Sequence, residues 1–485
     1  MRISYIANAL GLVMIYFGVV ILTPIIIAIV YKDYYSIIPF LTASIISVFL
    51  GIIARQKTKN VKNFNDLKKR EGLFIVVLTW IGISIITAIP YLFYNLSFIN
   101  SVFEAVSGVT GTGSSILADF SLYPPAFFFW RSMSQWLGGL GIIVLFIAIL
   151  PQFAVAGRQL FFAETPGPTE EKITPRIKHT AITLWTVYTF LTVLEVILLV
   201  LAGMPLFDAI CNSFSTLACG GFSPNPQSIM GYNSALIDWI VLIFMFLAAT
   251  NFALQYRVVI SRKFSLFWHN EEFRTYIMII MIALGLITGT LIVNHYYPFL
   301  EGIRHALFQV LTILTCTGFA SQDFELWNPQ SKFILLLLMF IGGSAGSATG
   351  SIKVMRILVA AKHMRREISQ AMHPSAVLPI KLDDKIISQD ILRQILAFIF
   401  FYLIIFIISS ILVVFIEGNV VIAVSGTAAT IGNIGPGFGQ IGPMGNFADL
   451  SDLTKLIFIF DMLVGRLELI PFVVMLHPDF WGFKR

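Results

Sequence analysis

The sequence predicts an all-α polytopic membrane protein, with two N-terminal spans followed by four span–pore loop–span repeats in a pseudo-fourfold arrangement. Three observations lead to this fold class: the composition, the alternation of charge between loops, and a short glycine-marked segment that recurs four times. Of the 485 residues, 57% are hydrophobic and 12% are charged, and the mean hydropathy is +0.85. A soluble protein carries about twice that charged fraction. We therefore expect a membrane-integral chain.

Apolar stretches of roughly 20 residues, enough to cross a ~30 Å hydrocarbon core, recur from end to end. The first is too long for a signal peptide and lacks a small-x-small cleavage site, so we interpret it as a retained span. Ten full spans are predicted, at residues 8–31, 35–54, 73–94, 127–150, 180–202, 237–254, 275–294, 332–351, 391–416 and 453–475.

Charge alternates between the loops. Seven, four, four and seven Lys or Arg residues lie in loops 55–70, 151–179, 255–274 and 353–388. The opposite loops, 95–126, 203–236, 294–331 and 417–452, contain one, Arg304, together with nine acidic residues that include Glu104. Cytoplasmic loops carry the excess of Lys and Arg. This predicts a multi-pass membrane protein, surrounded by lipid, with both termini cytoplasmic and no nucleic-acid partner.

The outward loops share a second property. Each begins with an apolar segment too short to span, at 101–111, 207–217, 303–315 and 420–431, which is typical of a re-entrant helix. Each then reaches small and hydroxyl residues around a glycine, at Gly113, Gly220, Gly318 and Gly435, spaced by 107, 98 and 117 residues. A unit that recurs at this period indicates a repeat architecture. The candidate ion-binding residues are Thr110, Gly111, Thr112, Gly113, Ala218, Cys219, Gly220, Thr315, Cys316, Thr317, Gly318, Asn433, Ile434 and Gly435.

The predicted organisation has five parts. A two-helix preface at 1–54 precedes four pore repeats at 72–150, 180–263, 274–362 and 390–476.

Four interruptions that enter from one side predict a central aqueous pathway, because irregular backbone survives at membrane depth only against protein or water. Rings of backbone carbonyls replace the hydration shell of a monovalent cation. Glycine lets such carbonyls turn inward, and the C-terminal end of a short inward helix favours positive charge. Acidic outer loops would concentrate cations at the mouth. We therefore expect a transported cation to bind at the four loops.

Span 332–351 runs into a glycine-rich segment, residues 342–353, which should interrupt the helix because each glycine costs about 1 kcal/mol relative to alanine. We interpret it as an intramembrane loop that gates the pathway from below; close helix packing through small residues is the alternative. Its candidate gating residues are Gly343, Ser344, Ala345, Gly346, Ser347, Gly350 and Lys353. In residues 136–141, close packing is the favoured interpretation of the glycines.

Ionisable residues in predicted spans mark functional positions or buried pairs. On a helix, Arg466 points about 140° away from Asp461, so we expect it to contact the glycine-rich segment or the backbone carbonyls of the four glycine-marked loops, which would form the ion filter. A structural ion pair between helices is the alternative. Glu195 is a candidate for proton coupling or for hydrogen-bonded packing.

Together, these motifs resemble the TrkH family, the membrane subunits of bacterial Trk potassium-uptake systems, related to KtrB and the plant HKT transporters. The resemblance rests on the four loops, residues 342–353, 163–168 (Ala-Glu-Thr-Pro-Gly-Pro), 434–437 (Ile-Gly-Pro-Gly) and 465–468 (Gly-Arg-Leu-Glu), and covers essentially the whole chain. One departure is Gly111, where relatives often carry a hydroxyl residue. The resemblance implies K⁺ as the transported ion, bound at the four glycines, and a gating loop near 343–353 with Arg466 against it. It also implies a homodimer in the bacterial inner (plasma) membrane that works with a cytosolic TrkA-like nucleotide-binding regulatory protein.

Two rival functions remain open at this stage. One is a potassium symporter coupled to H⁺ or Na⁺, for which Glu195 is the best residue. The other is the ion-binding subunit of a potassium-pumping ATPase, since such subunits share this repeat plan. The sequence has no Walker loop or dinucleotide fingerprint, so we expect this chain not to be an enzyme.

Overall fold

The computed structural model describes residues 1–59, 61, 68–141, 176–294, 296–376, 378–383, 385–467, 469, 472, 474–475 and 477–481. These residues are almost entirely helical. The helices are α1 (Ile3–Val20), α2 (Thr23–Val30), α3 (Ile37–Lys57), α4 (Lys69–Leu92), α5 (Phe98–Thr110), α6 (Pro125–Gly139), α7 (Arg176–Leu201), α8 (Leu206–Leu217), α9 (Ala235–Ala248), α10 (Phe252–Ser261), α11 (Ser265–His269), α12 (Glu271–Val293), α13 (Phe299–Leu314), α14 (Pro329–Leu338), α15 (Val354–Met372), α16 (Gln389–Glu417), α17 (Val420–Ile431), α18 (Asp452–Arg466) and α19 (Pro478–Trp481). A two-stranded antiparallel hairpin, β1 (Lys381–Leu382) and β2 (Lys385–Ile386), precedes α16.

Among the described residues, six helical segments are long and apolar enough to cross a membrane. Two belong to the N-terminal preface, and the other four are the first helices of four successive units: α4, α7, α12 and α16. In the preface, α1 and α3 approach closely through small residues, since a Cβ on Gly11 would lie 2.8 Å from the carbonyl oxygen of Gly51. Small residues at helix contacts are the usual way to bring membrane helices together. The protein is an integral membrane protein.

Each unit continues in the same order. The long helix is followed by a short one, which is α5, α8, α13 or α17, then by an irregular segment, and then by a second helix, which is α6, α9, α14 or α18. The second helices contain 15, 14, 10 and 15 residues. A full span needs about 20 residues. In all four units, therefore, the second helix as described stops short of a complete crossing.

This is a correction to the ten full spans. Residues 237–254 were predicted as one helix, but α9 and α10 meet at an angle of 99° across residues 249–251. Residues 453–475 were also predicted as one span, whereas α18 ends at Arg466. The interruption predicted at 342–353 is present, but it begins earlier: α14 ends at Leu338, so the predicted span 332–351 is too long, and α15 begins at Val354. Residues 142–150 of the predicted span 127–150 lie outside the described residues.

Candidate ion pathway

The four short helices end in the same way, which establishes the correspondence between the units. In each, one backbone N–H bonds back to a carbonyl five residues earlier. The donors and acceptors are Thr112 to Ser107 (2.9 Å), Gly220 to Ser215 (2.9 Å), Thr317 to Thr312 (2.8 Å) and Ile434 to Ala429 (2.8 Å). Residues 112, 220, 317 and 434 are therefore equivalent.

Two positions in each loop have positive φ, and they are one before and one after this equivalent residue. The pairs are Gly111 and Gly113 (68° and 87°), Cys219 and Gly221 (55° and 73°), Cys316 and Gly318 (57° and 79°), and Asn433 and Gly435 (53° and 108°). Gly221, and not Gly220, thus corresponds to Gly113, Gly318 and Gly435. The sequence-based alignment of the second loop was wrong by one residue, because two adjacent glycines fit the pattern equally well.

The four loops close into a ring in chain order. A Cβ on Gly113 would overlap the carbonyl oxygen of Gly220, one on Gly221 that of Thr317, and one on Gly318 that of Ile434. The last loop returns to the first, since a Cβ on Gly435 would lie 2.9 Å from the carbonyl oxygen of Thr112. Each glycine therefore packs against the carbonyl of the equivalent residue, 112, 220, 317 or 434, in the next loop. Any side chain at these positions would push neighbouring loops apart.

Polar side chains reinforce the ring. Asn433 donates from Nδ2 to Oγ1 of Thr112 (2.9 Å), and Ser114 donates to the carbonyl of Gly435 (2.8 Å), so two bonds join the fourth loop to the first. Within loops, the hydroxyls of Thr110 and Thr112, and those of Thr315 and Thr317, are 2.7 Å apart.

Gln135 of α6 holds the second loop from outside the ring. Its Nε2 donates to the carbonyl of Gly220 (2.6 Å), and its Oε1 accepts from the N–H of Phe222 (3.1 Å). Gly220 allows this approach, since a Cβ there would lie 2.5 Å from Cδ of Gln135. Gly220 and Gly221 therefore have different roles.

A buried ion pair lies behind the first loop. Arg131 donates from Nε to Glu104 (2.7 Å), and both side chains are almost fully buried. Glu104 also accepts from the N–H of Ile116 (3.0 Å), and Arg131 donates to the hydroxyl of Ser115 (3.0 Å). The Arg131 guanidinium stacks over the ring of Phe222, 4.0 Å from its centroid, and so connects the first loop to the second. Glu104 is therefore engaged internally, and is not part of an acidic outer mouth.

The glycine-rich segment forms a loop, residues 339–353, which we call the intramembrane loop. Its ends meet in a parallel bridge between Ile341 and Ile352. The break between α9 and α10 receives it: Ser344 donates its N–H to the carbonyl of Ala249 (2.9 Å), and Gly346 accepts from the N–H of Phe252 (3.3 Å). Ending α9 at Ala248 leaves these backbone groups without helical partners, and the loop satisfies them.

Within the loop, hydroxyl groups fix its shape. Ser347 donates to the carbonyl of Ser344 (2.6 Å), and Thr349 accepts from the N–H of Gly343 (3.1 Å). The intramembrane loop also contacts the fourth loop of the ring. Ser351 donates to the carbonyl of Gly432 (3.2 Å), and Gly350 lies against that same carbonyl.

Arg466 joins the loop to the first unit. Its Nη1 donates to the carbonyl of Ala348 (2.8 Å), and its Nη2 donates to the carbonyls of Gly138 and Gly139 at the end of α6. The predicted contact between Arg466 and the loop is therefore present. Close packing of the two glycines is present as well, since a Cβ on Gly138 would overlap the carbonyl of Val109.

A cavity of about 40 Å³ lies between these groups. Arg466, Lys353, Ser347, Gly350 and Trp80 are among its lining residues. A site needs roughly 10–15 Å³ to hold one water, so this space admits only a few. The space between the intramembrane loop and the end of α18 is thus small, and Arg466 and Lys353 place positive charge beside it.

Two other carboxyl groups of the predicted spans, Asp461 and Glu195, have different surroundings. Asp461 accepts a hydrogen bond from Ser409 of α16 (2.8 Å). Glu195 of α7 is fully buried, and among the described residues neither of its carboxylate oxygens has a hydrogen-bond partner. Glu468 and residues 163–168 lie outside the described residues.

Several of these residues were missed by sequence reasoning. Arg131 and Gln135 are polar residues inside a predicted apolar span, a signal that could have drawn attention to them. Asn251, which caps α10 by accepting from the N–H of Leu254 (3.1 Å), is a helix-start residue that could have indicated the break. The carbonyls of Gly138, Gly139 and Ala249 carry no sequence signal, because every residue has one.

Known proteins resemble this chain over its whole length. The model of the TrkH family, described as cation transport protein, matches residues 37–481. The Trk system potassium uptake protein TrkH of Salmonella typhimurium is 36% identical over 486 residues, which is 99% of this chain and 100% of that protein. The Trk system potassium uptake protein TrkG of Escherichia coli K12 is 35% identical, with 99% of each chain covered.

Solved structures agree with the sequence comparisons. The crystal structure of the potassium transporter TrkH from Vibrio parahaemolyticus superposes with a TM-score of 0.88 at 33% identity, covering 99% of this chain and 100% of that one. The two proteins therefore share the order of their helices, and about a third of their residues are identical along the full length. The chain belongs to the TrkH family of cation transport proteins.

Proposed function

We propose that this protein takes up potassium across the bacterial plasma membrane, by conduction through the ring of four loops. The ring carries the proposal: four loops pack glycine against carbonyl in a closed order, and K⁺ is the ion named for the relatives. The proposed filter comprises Thr110 to Gly113, Ala218 to Gly221, Thr315 to Gly318, and Asn433 to Gly435. Termini in the cytoplasm follow from the basic loops.

Backbone carbonyls suit this role because they replace water around a monovalent cation without trapping it. The short helices α5, α8, α13 and α17 end at the ring, so their C-terminal dipoles favour a cation there. K⁺ is the transported ion in this proposal and not a resident cofactor.

The intramembrane loop is the proposed gate. Its residues Gly343 to Ser347, with Gly350 and Lys353, stand below the ring, and Arg466 holds the loop to α6. A guanidinium there both fixes the loop and repels resting cations. Removing residues 344–350 should then raise flux and leave ion selectivity unchanged.

Regulation is proposed to come from a separate protein. The relatives are named as members of a Trk system, and cytoplasmic loops of this chain carry its basic charge. We propose a homodimer that associates with a TrkA-like nucleotide-binding protein. The test is copurification of such a partner with the chain. Absence of copurification, together with full nucleotide sensitivity of the isolated chain, would contradict the proposal.

Current recording from the purified protein in bilayers under ion gradients tests the main proposal. A reversal potential that follows the K⁺ gradient alone supports conduction. A reversal potential that shifts with the H⁺ or Na⁺ gradient at fixed K⁺ supports a symporter instead, for which the unpartnered carboxyl of Glu195 would be the coupling group. Dependence of transport on an ATPase partner would indicate the pump-subunit alternative.

A further inference from the structure

The first turn of α12 connects two parts of the protein that are far apart in sequence. Glu272 in this turn is buried, with 6% of its surface exposed. Its Oε1 accepts from the N–H of Ala345 (2.6 Å), 73 residues along the chain in the intramembrane loop. Glu272 therefore binds the backbone of the intramembrane loop three residues before Ala348, whose carbonyl accepts from Arg466.

The same turn is held from the cytoplasmic side by the hairpin β1–β2. Asp383, at the tip of the hairpin, accepts from the N–H of Glu271 through Oδ1 (2.7 Å). Its Oδ2 accepts from Nδ2 of Asn270 (2.7 Å). A carboxylate at a helix N-terminus satisfies N–H groups that lack helical partners and favours the helix dipole. The exposed hairpin thus fixes the first turn of α12, in which Glu272 is the next residue.

Further contacts bind the hairpin to the helix that follows the loop. Lys362 of α15 pairs with Glu271 and also donates to the carbonyl of Lys381 (2.7 Å). Leu382 of the hairpin and Ala345 of the loop pack against one apolar cluster, formed by Met355, Val359, Ile380, Leu392 and Ile395. Charged and apolar contacts therefore follow the same route from hairpin to loop.

We propose that Asp383 and Glu272 form a relay that keeps the intramembrane loop in its blocking position. Glu272 is a positioning residue, since it acts on the pathway through the backbone of the loop. Release of Asp383 from the first turn of α12 loosens Glu272 and frees the loop to move from beneath the ring. A soluble partner that engages the hairpin would act on the gate through this route. The inference rests on the proposed function of the loop as a gate.

The test measures Rb⁺ flux per molecule in liposomes containing the purified full-length protein. Glu272→Ala removes the acceptor for Ala345, and basal flux should rise at least about tenfold, the factor that one hydrogen bond to a charged group contributes at a two-state equilibrium. Glu272→Gln keeps an acceptor oxygen and should change flux by less than half as much. Selectivity for K⁺ over Na⁺ should stay unchanged in both.

Asp383→Gly is the second variant, chosen because φ at this residue is 46° and glycine adopts that angle without strain. It lies in the exposed hairpin, so it remains informative if Glu272→Ala fails to fold. It should also raise basal flux, and Asp390→Ala, which removes an exposed cytoplasmic carboxylate at the start of α16, should not. In the double variant Glu272→Ala/Asp383→Gly, flux should not exceed that of Glu272→Ala, because both changes break one route.

Labelling gives an independent readout of loop position. A thiol introduced as Ser347→Cys should react faster with a small methanethiosulfonate reagent in the Asp383→Gly background. Unchanged flux in both relay variants, or additive effects in the double variant, would overturn the inference. If deletion of 344–350 raises flux while the relay variants do not, only the relay is wrong; if the deletion leaves flux unchanged, the proposed gate itself is wrong.

Discussion

Nδ2 of Asn433 lies 2.9 Å from Oγ1 of Thr112, and this hydrogen bond joins the last loop of the chain to the first across 321 residues. The same Nδ2 donates to the carbonyl of Met462 in α18 (3.0 Å). Asn433 has φ of 53°, a conformation that Asn tolerates better than most residues. One side chain therefore closes the ring and fastens it to the neighbouring helix.

Asn433→Asp should weaken this closure, because it keeps the shape and the backbone preference but replaces the donor with a carboxylate. We expect lower K⁺ over Na⁺ discrimination and lower thermal stability. The measurements are Rb⁺ and Na⁺ flux in liposomes and the melting temperature of the purified protein. Wild-type discrimination in this variant would show that the ring closes without the Asn433 bond.

Gly318→Ala should impair transport, since φ there is 79° and a Cβ would overlap the carbonyl of Ile434. Gly113→Ser should also impair transport, because its side chain would overlap the carbonyl of Gly220. Gly285→Ala is the matched control: it lies within α12 with nothing within 4 Å of an added Cβ, and alanine improves helix propensity by about 1 kcal/mol. Growth of a potassium-uptake-deficient strain at limiting K⁺ tests all three. Full rescue by Gly318→Ala would contradict the role of the ring.

Arg466→Ala should raise basal cation flux, because it removes the bonds to Ala348, Gly138 and Gly139 and the positive charge beneath the ring. Arg466→Lys should restore the closed state only in part, since an ammonium lacks the planar fork that reaches both partners. Flux per molecule, corrected for protein amount, is the measurement. If Arg466→Ala lowers expression alone, the residue is structural.

Gln135→Leu should lower both stability and selectivity. It leaves the carbonyl of Gly220 and the N–H of Phe222 without partners, at about 1 to 3 kcal/mol for each buried group. Gln135→Glu keeps the acceptor for Phe222 but replaces the donor with a carboxylate oxygen facing the carbonyl of Gly220, so its effect on selectivity should arise at Gly220. Thermal melting and the K⁺/Na⁺ flux ratio separate the two contributions. If both variants keep the wild-type K⁺/Na⁺ flux ratio, Gln135 does not support the ring.

Arg131→Met should destabilise the protein by about 3 to 5 kcal/mol, because it leaves the buried carboxylate of Glu104 uncompensated. The double variant Glu104→Gln/Arg131→Met should recover part of this loss, since no unpaired charge remains. Urea or thermal unfolding in detergent measures both. A double variant that is less stable than Arg131→Met would show that the two residues act separately.

The sequence contained enough to predict the repeat plan, because Gly318 and Gly435 stand at matching places in repeated units. It did not separate Gly220 from Gly221, since the choice depends on backbone dihedral angles and on Gln135, which approaches from another helix. Helix geometry predicted only that Arg466 points away from Asp461, and the resemblance to the TrkH family implied its contact with the loop. Its bonds to Gly138 and Gly139 were not predictable, because backbone carbonyls are available everywhere until the fold selects among them.

The break in α9 was missed for a related reason. Residues 248–251 (Ala-Ala-Thr-Asn) contain neither Gly nor Pro, and Asn251 is the local signal of the break among them. The helix can end there because its last carbonyls find other donors. The N–H of Ser344 donates to the carbonyl of Ala249, and Nε2 of Gln255 donates to the carbonyls of Leu247 and Thr250. Those partners lie partly in another unit, so tertiary contacts outweigh local propensity here.

Interrupted second helices have a consequence for how this family can diversify. The carbonyl oxygens of Gly138 and Gly139 bind Arg466, and that of Ala249 binds the intramembrane loop. Their availability depends on where a helix ends and is largely independent of side-chain identity. In the proposed gate, the strength of closure can therefore change through a shift of a helix terminus, or through substitution of a single residue such as Arg466 that bonds to it. Nearly every substitution keeps the carbonyl oxygen of the residue, so the strength of closure can vary while the ring of four loops stays the same.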